Sequence, residues 1–466
     1  MRYVSTRGRA PALDFRGATL AGLAVDGGLY VPERWPTLTR DEIAALAGLS
    51  YAETAVRIMM PFVGDCLSEG ELRAICEVAY GRFSHAAVTP LVQLDAQHWL
   101  LELFHGPTLA FKDVALQFLG LVFEHFLRNG DQHLTIVGAT SGDTGSAAID
   151  ALAGREHVDV FMLHPQGRVS DVQRRQMTTV LAPNIHNIAI DGSFDDAQAL
   201  VKAMFNDTGF ASRFHLSAVN SINWARLMAQ VVYYFYAAVR LGAPERPVAF
   251  SVPTGNFGDV FAGYVAAKMG LPVAKLIVAT NVNDILHRAL SSGDYSTGTV
   301  TPTAAPSMDI QVSSNFERLL HDLGGANSAA LAEQMAGFEA TRAMRLTNVQ
   351  STGAGTLLAS DSVDASDMSE AMRWAASEAG QVIDPHTGIA LAAARRAGIA
   401  AEIPVVTLAT AHPAKFRDAV ERATGTRPSL PTRMGDLFER EERFTSLPGS
   451  YDAVSGFVAE RAVARG

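Results

Sequence analysis

A lysine at the start of an apolar stretch is the residue of this 466-residue chain best suited to chemistry. Lys112 lies between Phe111 and Asp113 in the stretch LELFHGPTLAFKDVALQFLG, residues 101–120. Burial among apolar neighbours lowers the pKa of a lysine, and the neutral amine is then a nucleophile toward an aldehyde. This stretch alone is equally compatible with an ordinary helix-terminal lysine whose stem covers apolar neighbours.

Lysine is rare in the chain, which makes the position of Lys112 more informative. The 38 Lys and Arg residues include only five lysines, namely Lys112, Lys202, Lys268, Lys275 and Lys415. Arginine therefore supplies most of the positive charge, and lysine is seldom used as a solvated surface group.

Two glycine-rich loops each follow a predicted strand and open a predicted helix. The first, TSGDTG at 140–145, lies between the predicted strand 133–139 and the predicted helix 146–154. The second, TGNFGD at 254–259, lies between the predicted strand 247–253 and the predicted helix 260–270. Free backbone N–H groups at a helix N-terminus bind anions such as phosphate or carboxylate. The second loop lacks the Lys-Ser/Thr pair of a P-loop and the spacing of a dinucleotide fingerprint.

A third polar segment, NSINWAR at 220–226, begins a long predicted helix. Arg226 lies near the start of that helix, where the helix dipole disfavours a cation, so it needs a separate counterion. An acidic side chain and a ligand phosphate or carboxylate are both open as that counterion.

The composition excludes several classes of function. A formal net charge of −10 without a basic cluster argues against broad binding to nucleic acid, and no apolar run is long enough to span a membrane. Cys66 and Cys76 have no disulfide or zinc spacing, and the chain begins without a secretory signal, so we expect a cytoplasmic protein without a metal.

Strands and helices alternate from about Leu91 onward, which predicts βαβ units and parallel sheets. We expect an N-terminal mostly helical cap domain and two α/β domains. The predicted division is 1–95 for the cap, 96–130 with 215–430 for a large domain, 131–214 for a smaller mobile domain, and 431–466 for a C-terminal arm.

A lysine in an apolar setting together with two anion-binding loops is what a pyridoxal phosphate enzyme requires. The amine would bind the cofactor covalently, one helix N-terminus would hold the cofactor phosphate, and the other would hold a substrate carboxylate. The order of lysine, Ser/Thr-rich loop and Gly-Asn-Phe-Gly loop is far more specific than the glycines alone.

The sequence resembles the threonine synthase family, in the tryptophan synthase β-like group of pyridoxal phosphate enzymes. Nine motifs occur in the order of that family: YVSTRG at Tyr3, DGGLYVP at Asp26, ELFHGPTLAFKD at Glu102, ATSGDTG at Ala139, NSINWAR at Asn220, PTGNFGD at Pro253, SSNFER at Ser313, DPHTG at Asp384 and ATAHPAKF at Ala409. The resemblance implies fold type II, with two parallel-sheet αβα domains plus the N-terminal cap. The motifs DGGLYVP and SSNFER are similar to the longer bacterial and fungal branch.

The resemblance also implies residue roles. Lys112 would carry the cofactor, and the backbone of Gly255, Asn256, Phe257 and Gly258 would bind its phosphate. Asp143 would lie near the phenolic oxygen, and Thr410 near the pyridine nitrogen, where a hydroxyl would not hold that nitrogen protonated. The substrate carboxylate would bind Thr140, Ser141 and Thr144, and the substrate phosphate would bind Ser221, Asn223 and Arg226 with help from Thr108.

The implied reaction converts O-phospho-L-homoserine and water into L-threonine and phosphate, in a monomer or a homodimer. Lys112 would act as base, acid and nucleophile in turn, so its pKa must lie near the working pH. A related phospholyase would run the same elimination and release 2-oxobutanoate and ammonia instead. Dehydratases and sulfhydrylases need no second anion site, and a non-catalytic binding protein would not need the lysine and both loops.

Overall fold

The computed structural model describes residues 1–128, 132–347 and 353–463. Nineteen α-helices lie in this part of the chain: α1 Phe15–Ala21, α2 Arg40–Ala44, α3 Tyr51–Val63, α4 Glu69–Tyr80, α5 Lys112–Leu127, α6 Asp143–Leu152, α7 Asp171–Thr178, α8 Phe194–Asn206, α9 Thr208–Arg213, α10 Trp224–Arg240, α11 Gly258–Lys268, α12 Ile285–Ser292, α13 Phe316–Leu323, α14 Ser328–Thr341, α15 Gly353–Leu357, α16 Ala365–Glu378, α17 Pro385–Arg396, α18 Arg417–Thr424 and α19 Tyr451–Arg461. Short 3-10 helices cover Gly64–Cys66, Pro306–Met308, Pro413–Phe416 and Thr432–Met434.

Fifteen strands lie in the same ranges: β1 Tyr3–Ser5, β2 Tyr30–Pro32, β3 Leu91–Gln93, β4 His98–Glu102, β5 Leu134–Ala139, β6 Val158–Pro165, β7 Ile185–Asp191, β8 Leu216–Ser217, β9 Val248–Pro253, β10 Val273–Thr280, β11 Asp294–Ser296, β12 Ala343–Arg345, β13 Leu358–Ser362, β14 Val405–Ala409 and β15 Thr445–Pro448. Most of them form two sheets. The larger has the order β13-β10-β9-β14-β4-β3 and the smaller has the order β15-β7-β6-β5-β8.

Both sheets are parallel, except that β3 runs antiparallel to β4 at one edge. Helices cover both faces of a parallel sheet, so its strands are buried along their whole length. β6, with the sequence VDVFMLHP, is an example, since every one of its residues is buried. The predicted α/β class with two parallel sheets is confirmed.

Helix α10 is surrounded by other helices. It is buried from Trp224 to Val239 and packs against α3, α5 and α11. A helix that is apolar on all sides is stable only when other elements surround it. α10 therefore joins the N-terminal helices to the two elements that begin at Lys112 and at Gly258.

The sheets cross the predicted domain limits at three strands. β3 lies before residue 96 but pairs with β4 of the larger sheet. β8 lies after residue 214 but pairs with β5 of the smaller sheet, and β15 of the C-terminal arm pairs with β7 of that sheet. The division into domains stays a prediction. In that division each of these three short strands belongs with the sheet that it pairs with. No helix in the described residues is long and apolar enough to cross a membrane.

Candidate active site

Lys112 is the first residue of α5 and lies at the carboxyl edge of the larger sheet. The Phe111 N–H donates to the Thr410 carbonyl at 2.8 Å, directly after β14, and the Leu103 N–H donates to the Ala409 carbonyl at 3.0 Å. Ligands of open parallel sheets bind beyond the carboxyl ends of the strands. The strand ends therefore bring Lys112 and Thr410 to the same edge, although the two residues are far apart in the sequence.

The surroundings of Lys112 favour the neutral amine. The side chain is buried, and its Nζ lies 3.4 Å from Asp143 Oδ2. Burial lowers the pKa of Lys112; Asp143 opposes this effect, while the positive charges of Lys415 and Arg226 add to it. The alternative of a solvated helix-terminal lysine is therefore wrong.

Asp143 is the acidic centre of the site. Its Oδ1 forms a salt bridge at 2.8 Å with Lys415 Nζ and accepts a hydrogen bond at 2.8 Å from Gln173 Nε2. Burial alone would raise the pKa of Asp143, but the charges of Lys415 and Lys112 hold that pKa well below its ordinary value. Asp143 is therefore an ionised carboxylate between two lysines.

Lys415 is a functional candidate to which the sequence analysis assigned no role. It lies in the 3-10 helix Pro413–Phe416, its side chain is fully buried, and its Nζ donates to the Thr108 carbonyl at 2.8 Å. The rarity of lysine and the position of Lys415 just after the last strand of the larger sheet were the signals that could have identified it.

The loop from Thr140 to Gly145 opens α6 and presents free donors. The Thr140 hydroxyl accepts from the Gly142 and Gly145 N–H groups, both at 2.9 Å, and so shapes the loop. Ser141 and Thr144 are half-buried, and their hydroxyls form no hydrogen bond with any described residue. Their hydroxyls and the N–H groups of Asp143 and Thr144, the first two of α6, are available to an anion.

The loop from Thr254 to Gly258 has the geometry of a phosphate cradle. Phe257 adopts the left-handed conformation, with φ +62°, and its ring packs at 5.2 Å on that of Phe316. A Cβ atom at Gly255 would lie 2.5 Å from the Ser307 carbonyl oxygen, so only glycine fits. No described side chain caps the N-terminus of α11, which leaves its N–H groups for a ligand.

The SSNFER motif supports this loop from outside. Ser313 Oγ donates to the Gly255 carbonyl at 2.8 Å, and Asn315 Nδ2 donates to the Asn256 carbonyl at 3.0 Å and to Ser221 Oγ at 3.2 Å. These two residues hold the backbone of the loop in place, a role that their local sequence does not indicate.

Arg318, in the same motif, joins the N-terminal segment to the site. Its guanidinium is fully buried and donates to the Tyr30 carbonyl at 2.9 Å and to the Ile222 carbonyl at 2.6 Å. Tyr30 belongs to the DGGLYVP motif and Ile222 to NSINWAR. The motif therefore fixes two other motifs in relation to the glycine loop.

Arg226 is a buried cation without an acidic partner. Its Nη1 donates to the Val219 carbonyl at 2.9 Å, its Nε has no hydrogen-bond partner, and it forms no salt bridge with a described residue. Burial lowers the pKa of Arg226 to about 10. An acidic side chain was one of the two predicted counterions, and the described residues supply none, so a ligand anion remains.

Two side chains predicted to bind the substrate phosphate are occupied within the protein. Asn223 is fully buried; its Oδ1 caps α10 through the Ala225 N–H, and its Nδ2 donates to the Thr19 carbonyl at 2.9 Å. The Thr108 hydroxyl donates to Asp113 Oδ1 at 2.6 Å. In this structure neither group is free to bind a ligand, because a helix cap and a loop contact already use them.

The residues present fit pyridoxal phosphate. A buried lysine with a lowered pKa matches its aldehyde, and the uncapped glycine loop matches its phosphate, which leaves the unpaired Arg226 for a second anion. Asp259 adds a further buried group beside the glycine loop. Its Oδ1 accepts from Tyr233 and Tyr234, its Oδ2 has no hydrogen-bond partner, and burial raises its pKa to about 6.

Comparison with known proteins agrees with this geometry. Models of three families match the chain: "Threonine synthase N terminus" over 2–80, "Pyridoxal-phosphate dependent enzyme" over 83–360 and "Threonine synthase, C-terminal" over 387–458. A threonine synthase of Pseudomonas aeruginosa is 55% identical over 99% of this chain and 98% of its own length.

Solved structures give the same result. The crystal structure of a pyridoxal phosphate-bound threonine synthase from Brucella melitensis has a TM-score of 0.96 at 50% identity, covering 99% of each chain. The yeast threonine synthase structure has a TM-score of 0.92 at 38% identity, covering 99% of this chain and 98% of its own. The predicted fold type II and the predicted cofactor are confirmed. The chain belongs to the threonine synthase family of pyridoxal phosphate-dependent enzymes.

Proposed function

We propose that the protein converts O-phospho-L-homoserine and water into L-threonine and inorganic phosphate. The observation that carries this proposal is Arg226, a buried cation beside the lysine site that no described carboxylate balances. A dehydratase acting on a hydroxy amino acid has no use for a second phosphate-binding group. A substrate phosphate would supply the charge and the acceptors that Arg226 lacks.

The cofactor would be held by groups that follow the carboxyl ends of strands in both sheets. We propose that Lys112 binds it covalently and that the backbone N–H groups of Gly255 to Gly258 bind its phosphate. Asp143 would lie near its phenolic oxygen and Thr410 near its pyridine nitrogen. When bound, the cofactor supplies an electron sink that stabilises negative charge at the substrate Cα.

The substrate would be held at both of its charged ends. We propose that Ser141, Thr144 and the first N–H groups of α6 bind the carboxylate, while Thr140 shapes the loop through its two hydrogen bonds. Arg226 would bind the phosphate with Ser221. Asn223 and Thr108 would act indirectly, by capping α10 and by bonding Asp113.

Lys112 Nζ would move the protons of the reaction. Once the substrate amine has taken its place on the cofactor, the freed Nζ takes the proton from Cα, and a Cβ–H bond and the Cγ–O bond then break as phosphate leaves. A proton is delivered to Cγ, a water oxygen adds at Cβ, and a proton returns to Cα. An amine with a lowered pKa can act both as base and as acid near neutral pH, and this series of proton transfers requires both roles. Water must be excluded until phosphate has left.

The test is product analysis with O-phospho-L-homoserine as the substrate, measuring phosphate, threonine and 2-oxobutanoate in one reaction. We expect phosphate and threonine in equal amounts. Phosphate matched by 2-oxobutanoate and ammonia would identify a phospholyase, and the absence of phosphate would refute both activities. Light scattering on the same sample tests the prediction of a monomer or a homodimer.

A further inference from the structure

Lys415 is a buried charged group that the proposed reaction does not use. Its side chain is fully buried, and its Nζ contacts Asp143 Oδ1 and the Thr108 carbonyl, both at 2.8 Å. Burying a lysine is unfavourable unless a partner compensates it, and a surface location would serve the fold as well. The position of Lys415 therefore suggests a role in the site itself.

Asp143 lies between two lysines and is closer to Lys415. The Lys415 Nζ lies 2.8 Å from Asp143 Oδ1, whereas the Lys112 Nζ lies 3.4 Å from Oδ2. Gln173 donates a third contact to Oδ1 at 2.8 Å. One carboxylate can balance only one of the two ammonium charges, and the shorter contact gives Lys415 the larger share.

We propose that Lys415 is a positioning residue that holds Asp143 in place as a carboxylate. Lys112 can then release its proton, because the Lys415 ammonium still compensates the negative charge of Asp143. The inference rests on the proposed function for its role in turnover, but not for the charge arrangement. The Lys112 ammonium would pass its proton to solvent, and its neutral amine would then be free for the chemistry described above.

The other charged groups around this pair agree with the proposal. Arg226 of α10 adds positive charge near Lys112, and Asp259 of α11 interacts with Lys112 as an opposing charge. Asp113 of α5 interacts with Lys415, but its oxygens accept from Thr108. Asp143 is thus the described carboxylate that forms salt bridges with both lysines.

The test measures the reactivity of the Lys112 amine in the full-length chain after the cofactor has been removed. Trace labelling of amines with acetic anhydride across a pH series, followed by peptide mass spectrometry, gives the apparent pKa of Lys112. In Lys415→Met and in Lys415→Gln we expect that pKa to rise by about one unit or more, which is a tenfold loss of reactivity at neutral pH. Lys415→Arg keeps the charge and should restore the wild-type curve.

The matched control is Lys202→Met, which removes an exposed lysine on α8 and should leave the Lys112 curve unchanged. With cofactor bound, the apparent pKa of the acidic limb in the pH profile of kcat/KM should rise by a similar amount in the two neutral variants. An unchanged Lys112 curve in a folded neutral variant overturns the proposal. Loss of folding in both neutral variants, with Lys415→Arg folded, would assign Lys415 to stability and overturn it too. Neither labelling outcome depends on which product the enzyme forms.

Discussion

Arg226→Met tests whether the unpaired arginine is there for a ligand. Burial lowers the pKa of Arg226 from the ordinary value of an arginine to about 10. Each pKa unit is worth about 1.4 kcal/mol, so the charge destabilises the ligand-free protein by about 3 kcal/mol at any pH well below 10. That penalty fades only as the pH rises above about 10, toward the ordinary pKa of an arginine. Methionine removes it.

The substitution also removes a hydrogen bond. The Val219 carbonyl loses the donor at 2.9 Å, and a buried acceptor left without a partner costs about 1–3 kcal/mol. Removing the buried charge raises the free energy of unfolding, and losing the hydrogen bond lowers it by a similar amount. We therefore expect the urea midpoint of the ligand-free Arg226→Met protein to equal or exceed that of the wild type.

The effect on substrate binding should be large. A charged hydrogen bond is worth about 1.5–3 kcal/mol, so losing a two-pronged contact to phosphate should raise KM for O-phospho-L-homoserine by about 100-fold or more. The control is Arg240→Met, which removes an exposed arginine from the same helix. A variant that unfolds at much lower urea concentration while KM stays unchanged would show that Arg226 is structural and refute this reasoning.

Three further substitutions test the lysine and the glycine loop. Gly255→Ala should weaken cofactor binding by about tenfold or more, because the new Cβ would lie 2.5 Å from a backbone oxygen; Gly70→Ala, where a Cβ meets nothing within 4 Å, is its control, and absorbance titration measures both. Asn315→Ala should weaken cofactor binding by about tenfold through loss of the loop contact, whereas Asn206→Ala, at an exposed position on α8, should not. Lys112→Ala should abolish turnover with an unchanged circular dichroism spectrum, and retained turnover would contradict the assignment.

Much of the fold could be predicted because its signals are local. The strand preceding each glycine loop and the helix following it carry a hydrophobic pattern and turn chemistry that need no tertiary contact to be recognised. The family and the cofactor followed from the order of such motifs. Lys112 could be identified because its apolar neighbours are adjacent in the sequence.

Other features depend on contacts between remote segments. Lys415 meets Asp143 only because the end of β14 and the start of α6 converge, and Asn315 reaches the loop at Asn256 from a different element. Asn223 looked like a ligand, but its position as the cap of α10 uses its amide. Short edge strands such as β15 carry too little pattern to be recognised, because hydrogen bonds to a partner strand define them.

In the proposed reaction phosphate leaves by breakage of the Cγ–O bond, and water then adds at Cβ. Turnover of O-phospho-L-homoserine in ¹⁸O-labelled water, with mass spectrometry of both products, distinguishes this route from hydrolysis of the phosphate ester. We expect threonine with solvent oxygen in its hydroxyl group and phosphate that contains no solvent oxygen. Phosphate carrying solvent oxygen, with homoserine as the organic product, would mean hydrolysis at phosphorus and would refute the proposed elimination.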